Sequence, residues 1–351
     1  MSLTRPDLDA LPSYVPGRTV PGAVKLASNE VPYGPLPGVA EAIAAAAADS
    51  NRYPDMGVVA LREKLAGRCG VDPGRINTGC GSVALAEHLV RVTTLGPQDE
   101  VLYSWRSFEA YPIIAAAAGA TSVRVPNRPD HSHDLAAMAD ALSPRTRLVF
   151  VCNPNNPTGT TSRRAELDAF LDLVPETTLV VIDEAYREFV TDPAVPDGIA
   201  AYGERPNVVV LRTLSKAWGL AGLRIGYSVA APAVAEAVRK VVTPFSASGV
   251  AQAAALAALA ADTEMHRRAG LVVAERERVR AAVQKLLPEV PDTQANFVWL
   301  PLREESAGFA ATCERHGVVV RPFPEGVRVT IGTPEENDRF LAAAAEALSY
   351  Q

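Results

Sequence analysis

Three stretches of this chain run from a block of apolar, mostly β-branched residues directly into polar groups, and this pattern constrains the fold more than any other feature. The first is Val149-Phe150-Val151-Cys152, followed by Asn153-Pro154-Asn155-Asn156-Pro157-Thr158-Gly159. The second is Leu179-Val180-Val181-Ile182, followed by Asp183-Glu184-Ala185-Tyr186, and the third is Val208-Val209-Val210-Leu211, followed by Arg212-Thr213-Leu214-Ser215-Lys216. Unbroken apolar runs of this length read as strands buried on both faces, as in a parallel sheet covered by helices. In open α/β sheets the ligand site lies beyond the carboxyl ends of the strands. The three runs therefore deliver amides, an acid with a phenol, and an amine to one sheet edge.

The remaining sequence fits an α/β fold with a mostly parallel central sheet flanked by helices and a smaller α+β C-terminal domain. The chain has 351 residues, 48% of them hydrophobic, enough for two cores. Residues 1–37 are rich in Pro and Gly and read as an N-terminal arm lying across other parts of the molecule or a neighbouring subunit. Residues 38–244 alternate strand and helix patterns and form the large domain; residues 245–351 form the small one. In the latter, an Ala-rich helical stretch over 250–287 precedes short strands at 296–300, 318–321 and 327–331. A last helix opens at Thr333-Pro334-Glu335-Glu336, where Thr333 and Glu336 have capping-box spacing.

A net charge of −6 gives no drive toward nucleic acid or an anionic membrane. The first residues contain no apolar leader, and no segment is apolar for the length of a membrane span, which points to the cytoplasm. Cys69, Cys80, Cys152 and Cys313 form no Cys-x-x-Cys pair, so neither a disulfide framework nor a metal site is expected. His131-Ser132-His133 stands in a Pro-, Asp- and Asn-rich stretch and reads as exposed loop.

An amine, an acid, a phenol and an amide at one sheet edge are what amino-group chemistry on pyridoxal 5′-phosphate (PLP) requires. Asp183 is placed to keep a pyridine nitrogen protonated, and Tyr186 and Asn156 to hydrogen-bond the ring oxygen. Lys216 suits a Schiff-base lysine that also serves as general acid and base. Gly79-Cys80-Gly81-Ser82-Val83 reads as a glycine turn opening a helix, whose Ser82 and Val83 amides bind phosphate. Thr213, Ser215 and Arg224 add hydroxyl and guanidinium contacts from the Lys216 side. Arg328 is the candidate for gripping a substrate carboxylate. The same glycine turn satisfies the dinucleotide fingerprint G-x-G-x-x-A, with Asp99 about 20 residues on. That rival leaves Lys216 and Asp183 without a role, and Arg75-Ile76-Asn77-Thr78 makes a poor first strand for it.

Asn155-Asn156-Pro157-Thr158-Gly159, Asp183-Glu184-Ala185-Tyr186, the run from Ser215-Lys216 through Gly222-Leu223-Arg224-Ile225-Gly226, and Arg328 together resemble the fold-type I PLP aminotransferases, within them the histidinol-phosphate aminotransferase branch. The resemblance spans nearly the whole chain. It implies a homodimer in which Tyr53 reaches the partner's cofactor phosphate, Phe108 stacked on the pyridine ring, and Asn29 near the active site. Ser28-Asn29-Glu30-Val31-Pro32 and Val83-Ala84 depart from the histidinol-phosphate pattern. The stretches around Gly79, Trp105 and Gln294 are similar instead to actinobacterial phenylalanine or aromatic amino acid aminotransferases. The expected reaction is transamination between an aromatic amino acid and 2-oxoglutarate, with Tyr14, Phe108, Tyr111, Phe297 and Trp299 as candidate aromatic surface. The alternatives are histidinol phosphate as donor, with Arg321 meeting its phosphate, a PLP decarboxylase, and a ligand-sensing domain that lacks the DNA-binding module such regulators carry.

Overall fold

The computed structural model describes residues 3–5, 8–9, 11 and 17–348; Tyr14 lies outside them. The strands are β1 (Val24–Lys25), β2 (Ile76–Cys80), β3 (Glu100–Trp105), β4 (Thr121–Pro126), β5 (Thr146–Cys152), β6 (Leu179–Asp183), β7 (Val208–Thr213), β8 (Ile225–Val229), β9 (Phe297–Leu300), β10 (Val318–Val319), β11 (Arg321–Phe323) and β12 (Gly326–Thr330). Seven of them form one sheet in the order β2-β8-β7-β6-β5-β3-β4, in which β8 runs antiparallel to the rest. The three apolar runs are its centre. Alternate residues of these strands enter opposite cores: Val149, Val151, Val180, Ile182, Val208 and Val210 pack on one face, and Leu148, Phe150, Val181, Val209 and Leu211 on the other. Helices cover both faces, which is why the sequence shows continuous apolar blocks rather than an alternating pattern.

Register decides what meets at the sheet edge. Cys152 pairs with Asp183 and Asp183 with Leu211, so the polar tails of β5, β6 and β7 leave the sheet at nearly one level. Facing that edge is a second, antiparallel sheet in the order β11-β12-β9. The segment before the first helix joins this second body, since β1 pairs in parallel with β10 and Leu26 and Ala27 are buried. The helical sequence over 250–287 is two helices, Gly249–Ala260 and Asp262–Gln284, joined at Ala261 (φ −93°, ψ 32°).

The last helix, Pro334–Leu348, is capped as its sequence dictates: Thr333 N donates to Glu336 Oε2 at 2.8 Å and Glu336 N to Thr333 Oγ1 at 3.3 Å. Thr333→Ala removes one of these bonds and should lower stability by about 1 kcal/mol, measured as a shift in the urea midpoint. An unchanged midpoint would show that packing of Phe340 and Leu348 alone fixes this helix end.

Candidate active site

Between the edge of the seven-stranded sheet and the smaller sheet lies a cavity of about 240 Å³, and every residue expected to bind cofactor or a substrate's charged groups lines it except Tyr53. β6 ends at Asp183, whose carboxylate is buried. Its Oδ2 accepts a 2.8 Å hydrogen bond from the Tyr111 hydroxyl, and its Oδ1 is buried without a hydrogen-bond partner. Burial outweighs the Tyr111 bond and pushes the Asp183 pKa up to about 6. Tyr111 is not pocket surface. It is fully buried, stacked on Phe150 at 4.2 Å with the rings nearly parallel, and its phenol is held un-ionised by burial beside Asp183.

Lys216 follows β7 and directs its amine at the Ser28 carbonyl, 3.2 Å away. Loss of hydration in the cavity, reinforced by the nearby Arg328 charge, lowers its pKa to about 7. The Tyr186 hydroxyl accepts from Asn29 Nδ2 at 2.9 Å, which leaves its own proton available to the cavity. Asn29 sits in the left-handed region at φ 56°, held by its N–H to Thr330 Oγ1 at 2.9 Å and by its carbonyl, which accepts from Asn296 Nδ2 at 3.1 Å. Arg328, at the centre of β12, donates to Asn156 Oδ1 at 2.5 Å and to the Ala27 carbonyl at 2.7 Å. The expected carboxylate grip and ring-oxygen donor are thus bonded to each other across the cavity.

The glycine turn closes one end. Helix Gly81–Thr93 has no side-chain cap at its N-terminus, and Ser82 and Val83 of its first turn line the cavity. Arg224, in the left-handed region at φ 56°, places Nη1 3.3 Å from Ser215 Oγ and lies so close over Gly81 that a Cβ there would strike the guanidinium. A Cβ on Gly226 would come within 2.5 Å of Ser82 N, so glycine lets β8 pass directly beneath the helix start. Ser215 N donates to Thr213 Oγ1 at 3.1 Å, which orients that hydroxyl. Donors and positive charge converge here, the requirement for a bound phosphate.

Several other sequence candidates lie away from the cavity. The strand before the glycine turn, β2, is an edge strand of the large sheet, and Asp99 is buried in bonds to Leu95 N and Arg147 away from the cavity, so no dinucleotide site is formed. Phe297 and Trp299 are core residues of β9; Phe297 packs its edge on Tyr186 at 5.1 Å. His133 is buried, with Nε2 2.8 Å from the Cys152 carbonyl, and His131 packs on Trp299. Tyr53 is 83% exposed and stacked on Phe245, outside the cavity of its own chain. Phe108 lines the cavity as expected, edge-on to Tyr111. The sequence reading missed Glu109, a cavity residue paired with Arg321 at 2.9 Å, although it stands next to Phe108 in the stretch already singled out.

The family model for aminotransferase class I and II matches residues 21–343. An aromatic amino acid aminotransferase of Streptomyces avermitilis is 57% identical over 342 residues, covering 96% of this chain and 95% of that protein. A Streptomyces coelicolor protein of the same name is 56% identical over 347 residues, covering 97% and 96%. Among solved structures, the histidinol-phosphate aminotransferase of Sinorhizobium meliloti in complex with pyridoxal-5′-phosphate superposes with a TM-score of 0.88 at 30% identity, over 100% of this chain and 98% of that one.

The buried carboxylate gives the ligand-free protein a pH signature. Asp183 holds its proton more tightly in the folded protein than in the unfolded chain, so it contributes stability fully present below the ordinary carboxylate pKa of about 4. That contribution is lost as pH rises to about 6. Asp183→Asn keeps an acceptor for Tyr111 and abolishes the loss. Ligand-free D183N should therefore gain on wild type between those pH values and stay ahead by about 1–3 kcal/mol above them. Urea midpoints across pH 4–8 measure this; a difference that does not vary with pH would mean the carboxylate is not desolvated.

Proposed function

The chain belongs to the class I and II aminotransferases, and we propose that it catalyses PLP-dependent transfer of the amino group of an aromatic amino acid (phenylalanine, tyrosine or tryptophan) to 2-oxoglutarate. The observation that carries the chemistry is a buried, unpartnered carboxylate oxygen on Asp183 in the same cavity as a lysine whose pKa lies near 7. The aromatic donor is supported by the identity of 57% with the Streptomyces avermitilis aromatic amino acid aminotransferase along nearly the whole chain.

PLP fits the residues present. The open oxygen of Asp183 needs one cationic N–H donor, which a pyridinium supplies, and the Ser82, Val83, Thr213, Ser215 and Arg224 cup matches its phosphate. Tyr186 and Asn156 would hydrogen-bond its ring oxygen, Phe108 would cover its ring, and Lys216 would anchor it. When bound, PLP supplies an electron sink that lets the substrate Cα–H bond break with its electron pair left behind. Arg328 would exchange its bonds to Asn156 and the Ala27 carbonyl for the α-carboxylate, a forked pair that fixes the amino acid's orientation. Lys216 Nζ takes the proton from Cα and returns it on the far side of the transfer, work suited to a base titrating near neutrality. Asp183 holds the proton on the pyridine nitrogen throughout. The aromatic amino acid leaves as its 2-oxo acid, and 2-oxoglutarate takes the nitrogen and leaves as glutamate.

A second reading, histidinol phosphate as donor, is favoured by the Sinorhizobium meliloti likeness and by Arg321 in the cavity. Residues 38–244 and 245–351 are proposed as the cofactor-bearing and closing domains; the β1–β10 ladder supports counting the second half of the 1–37 arm with the latter. A homodimer is proposed because Tyr53 and Phe245 stack in an exposed apolar patch with Met56, which a second copy would cover so that Tyr53 meets its phosphate cup. A cytoplasmic location is supported by four free cysteines and by the absence, among the described residues, of any helix long and apolar enough to cross a membrane.

On PLP-saturated protein, kcat/KM for phenylalanine should exceed that for histidinol phosphate, each with 2-oxoglutarate; the reverse order would overturn the donor assignment. Lys216→Ala should lower kcat by about 10²–10⁴-fold, and retention of full activity would remove Lys216 from the mechanism. Tyr53→Phe should weaken PLP binding about tenfold, the loss of one hydrogen bond to a charged group, while sedimentation still reports a dimer. A monomeric wild type would sink the shared site.

A further inference from the structure

Two arginines stand side by side in this cavity. Arg321 of β11 and Arg328 of β12 are directly opposed in the antiparallel ladder, so their side chains leave the same face of the small sheet. Like charges in this relation repel unless one is compensated. Arg328 is the carboxylate grip already described. Arg321 Nη2 is held 2.9 Å from Glu109 Oε2, in a pair whose side chains are only 12% and 30% exposed.

Glu109 has no other structural duty of this kind. It occupies the N-cap of helix Ala110–Ala117, yet its side chain makes no capping bond there. Nor is the pair needed to fasten the Phe108 loop to the small sheet, because Arg106 already binds Glu325 on the β11–β12 turn through two bonds of 2.8 and 3.0 Å. That neighbouring ion pair crosses the same gap outside the cavity lining.

We propose that Glu109 sets the amino-donor preference: by neutralising Arg321 beside the carboxylate grip, it lets the cavity accept a donor with an α-carboxylate and an uncharged ring and refuse one that carries a phosphate ester in the carboxylate's place. The proposal rests on the transaminase reading above. A phosphate monoester carries a charge of about −1.5 to −2 at neutral pH and binds Arg321 only by displacing the Glu109 carboxylate against mutual repulsion. A neutral ring leaves the pair intact. Discrimination of this kind comes from a repulsive element as much as from an attractive one. The single γ-carboxylate of 2-oxoglutarate or glutamate lies between these cases.

The test is the single-turnover half-reaction of the full-length, PLP-loaded protein with phenylalanine, glutamate and histidinol phosphate, followed by absorbance, with inorganic phosphate as an inhibitor of the phenylalanine reaction and as a calorimetric ligand. Glu109→Gln keeps the side chain's size and removes its charge. The ratio of histidinol phosphate to phenylalanine rates should rise about 10²-fold, glutamate should gain less, and phosphate should bind at least about tenfold tighter. Adding Arg321→Gln should cancel these gains. Glu325→Gln, which breaks only the neighbouring pair, should leave the ratio within about twofold of wild type. An E109Q protein in which all donors change equally and phosphate affinity is unaltered would overturn the proposal, as would the same ratio change in E325Q. A wild type that gives no absorbance change with any amino acid would sink the transaminase reading, and the donor assignment with it.

Discussion

The arrangement of this protein turns on one carboxylate that the fold buries and only half satisfies. Buried polar groups in native proteins are almost always hydrogen-bonded, and the chain shows that it can meet this demand next door. Glu184, the following residue, is just as buried, yet it accepts from Arg212 at 2.7 and 2.9 Å and from Gly198 N at 2.7 Å. Two adjacent acids at the end of one strand thus have opposite treatment. Glu184 points away from the cavity into an ion-pair network with Arg212 and Asp197, whereas Asp183 points into it with one oxygen open. The contrast separates a structural charge from one kept for a ligand.

Holding such a carboxylate requires rigid surroundings. Tyr111 supplies one hydrogen bond and is itself fixed by stacking on Phe150 of the neighbouring strand and by Tyr103, whose ring packs 5.8 Å away in the same core. The opposite wall is built from distant parts of the sequence. Residues 26–29 run between the two sheets, and their polar groups are claimed from both sides: Asn29 binds Tyr186 of the large body and Thr330 and Asn296 of the small one, while the Ala27 and Ser28 carbonyls receive Arg328 and Lys216. The reactive amine and the substrate grip therefore rest on the same few residues. A movement of the small sheet would be felt at both.

The large sheet and most of the site were legible because the signals are local. An apolar block followed by a polar residue fixes both the strand and the edge at which that residue emerges, so Asn156, Asp183, Tyr186 and Lys216 could be assigned to one place before any contact was known. The glycine turn was legible for the same reason. What escaped depends on packing across the sequence. Phe108 precedes helix Ala110–Ala117 and Tyr111 lies in its first turn, and composition does not tell which ring faces the cavity and which the core. Phe297 and Trp299, two residues apart, share one face of a strand whose residues are all buried, so both are core. Glu109 acquires meaning only when β11 brings Arg321 to it from 212 residues away. Tyr53 stacks on Phe245 outside the cavity of its own chain, so its expected place at a partner's phosphate came from family resemblance and from no local signal.

The charges of the cavity also explain why Lys216 is both weakly basic before substrate arrives and competent afterwards. Loss of hydration and then the positive charge of Arg328 depress its pKa. Arg328 donates to Asn156 Oδ1 and to the Ala27 carbonyl, and its positive charge is felt at the amine. On the proposed reading, a substrate carboxylate on Arg328 would offset that repulsion and raise the proton affinity of the lysine. In the proposed mechanism the same guanidinium would both select an α-amino acid and strengthen the base that acts on it. Arg321 would exert a second depressing charge on the neighbouring strand position were it not paired with Glu109. Compensation of one arginine by the protein, and of the other by the substrate, leaves the lysine responsive to the single event that should trigger it.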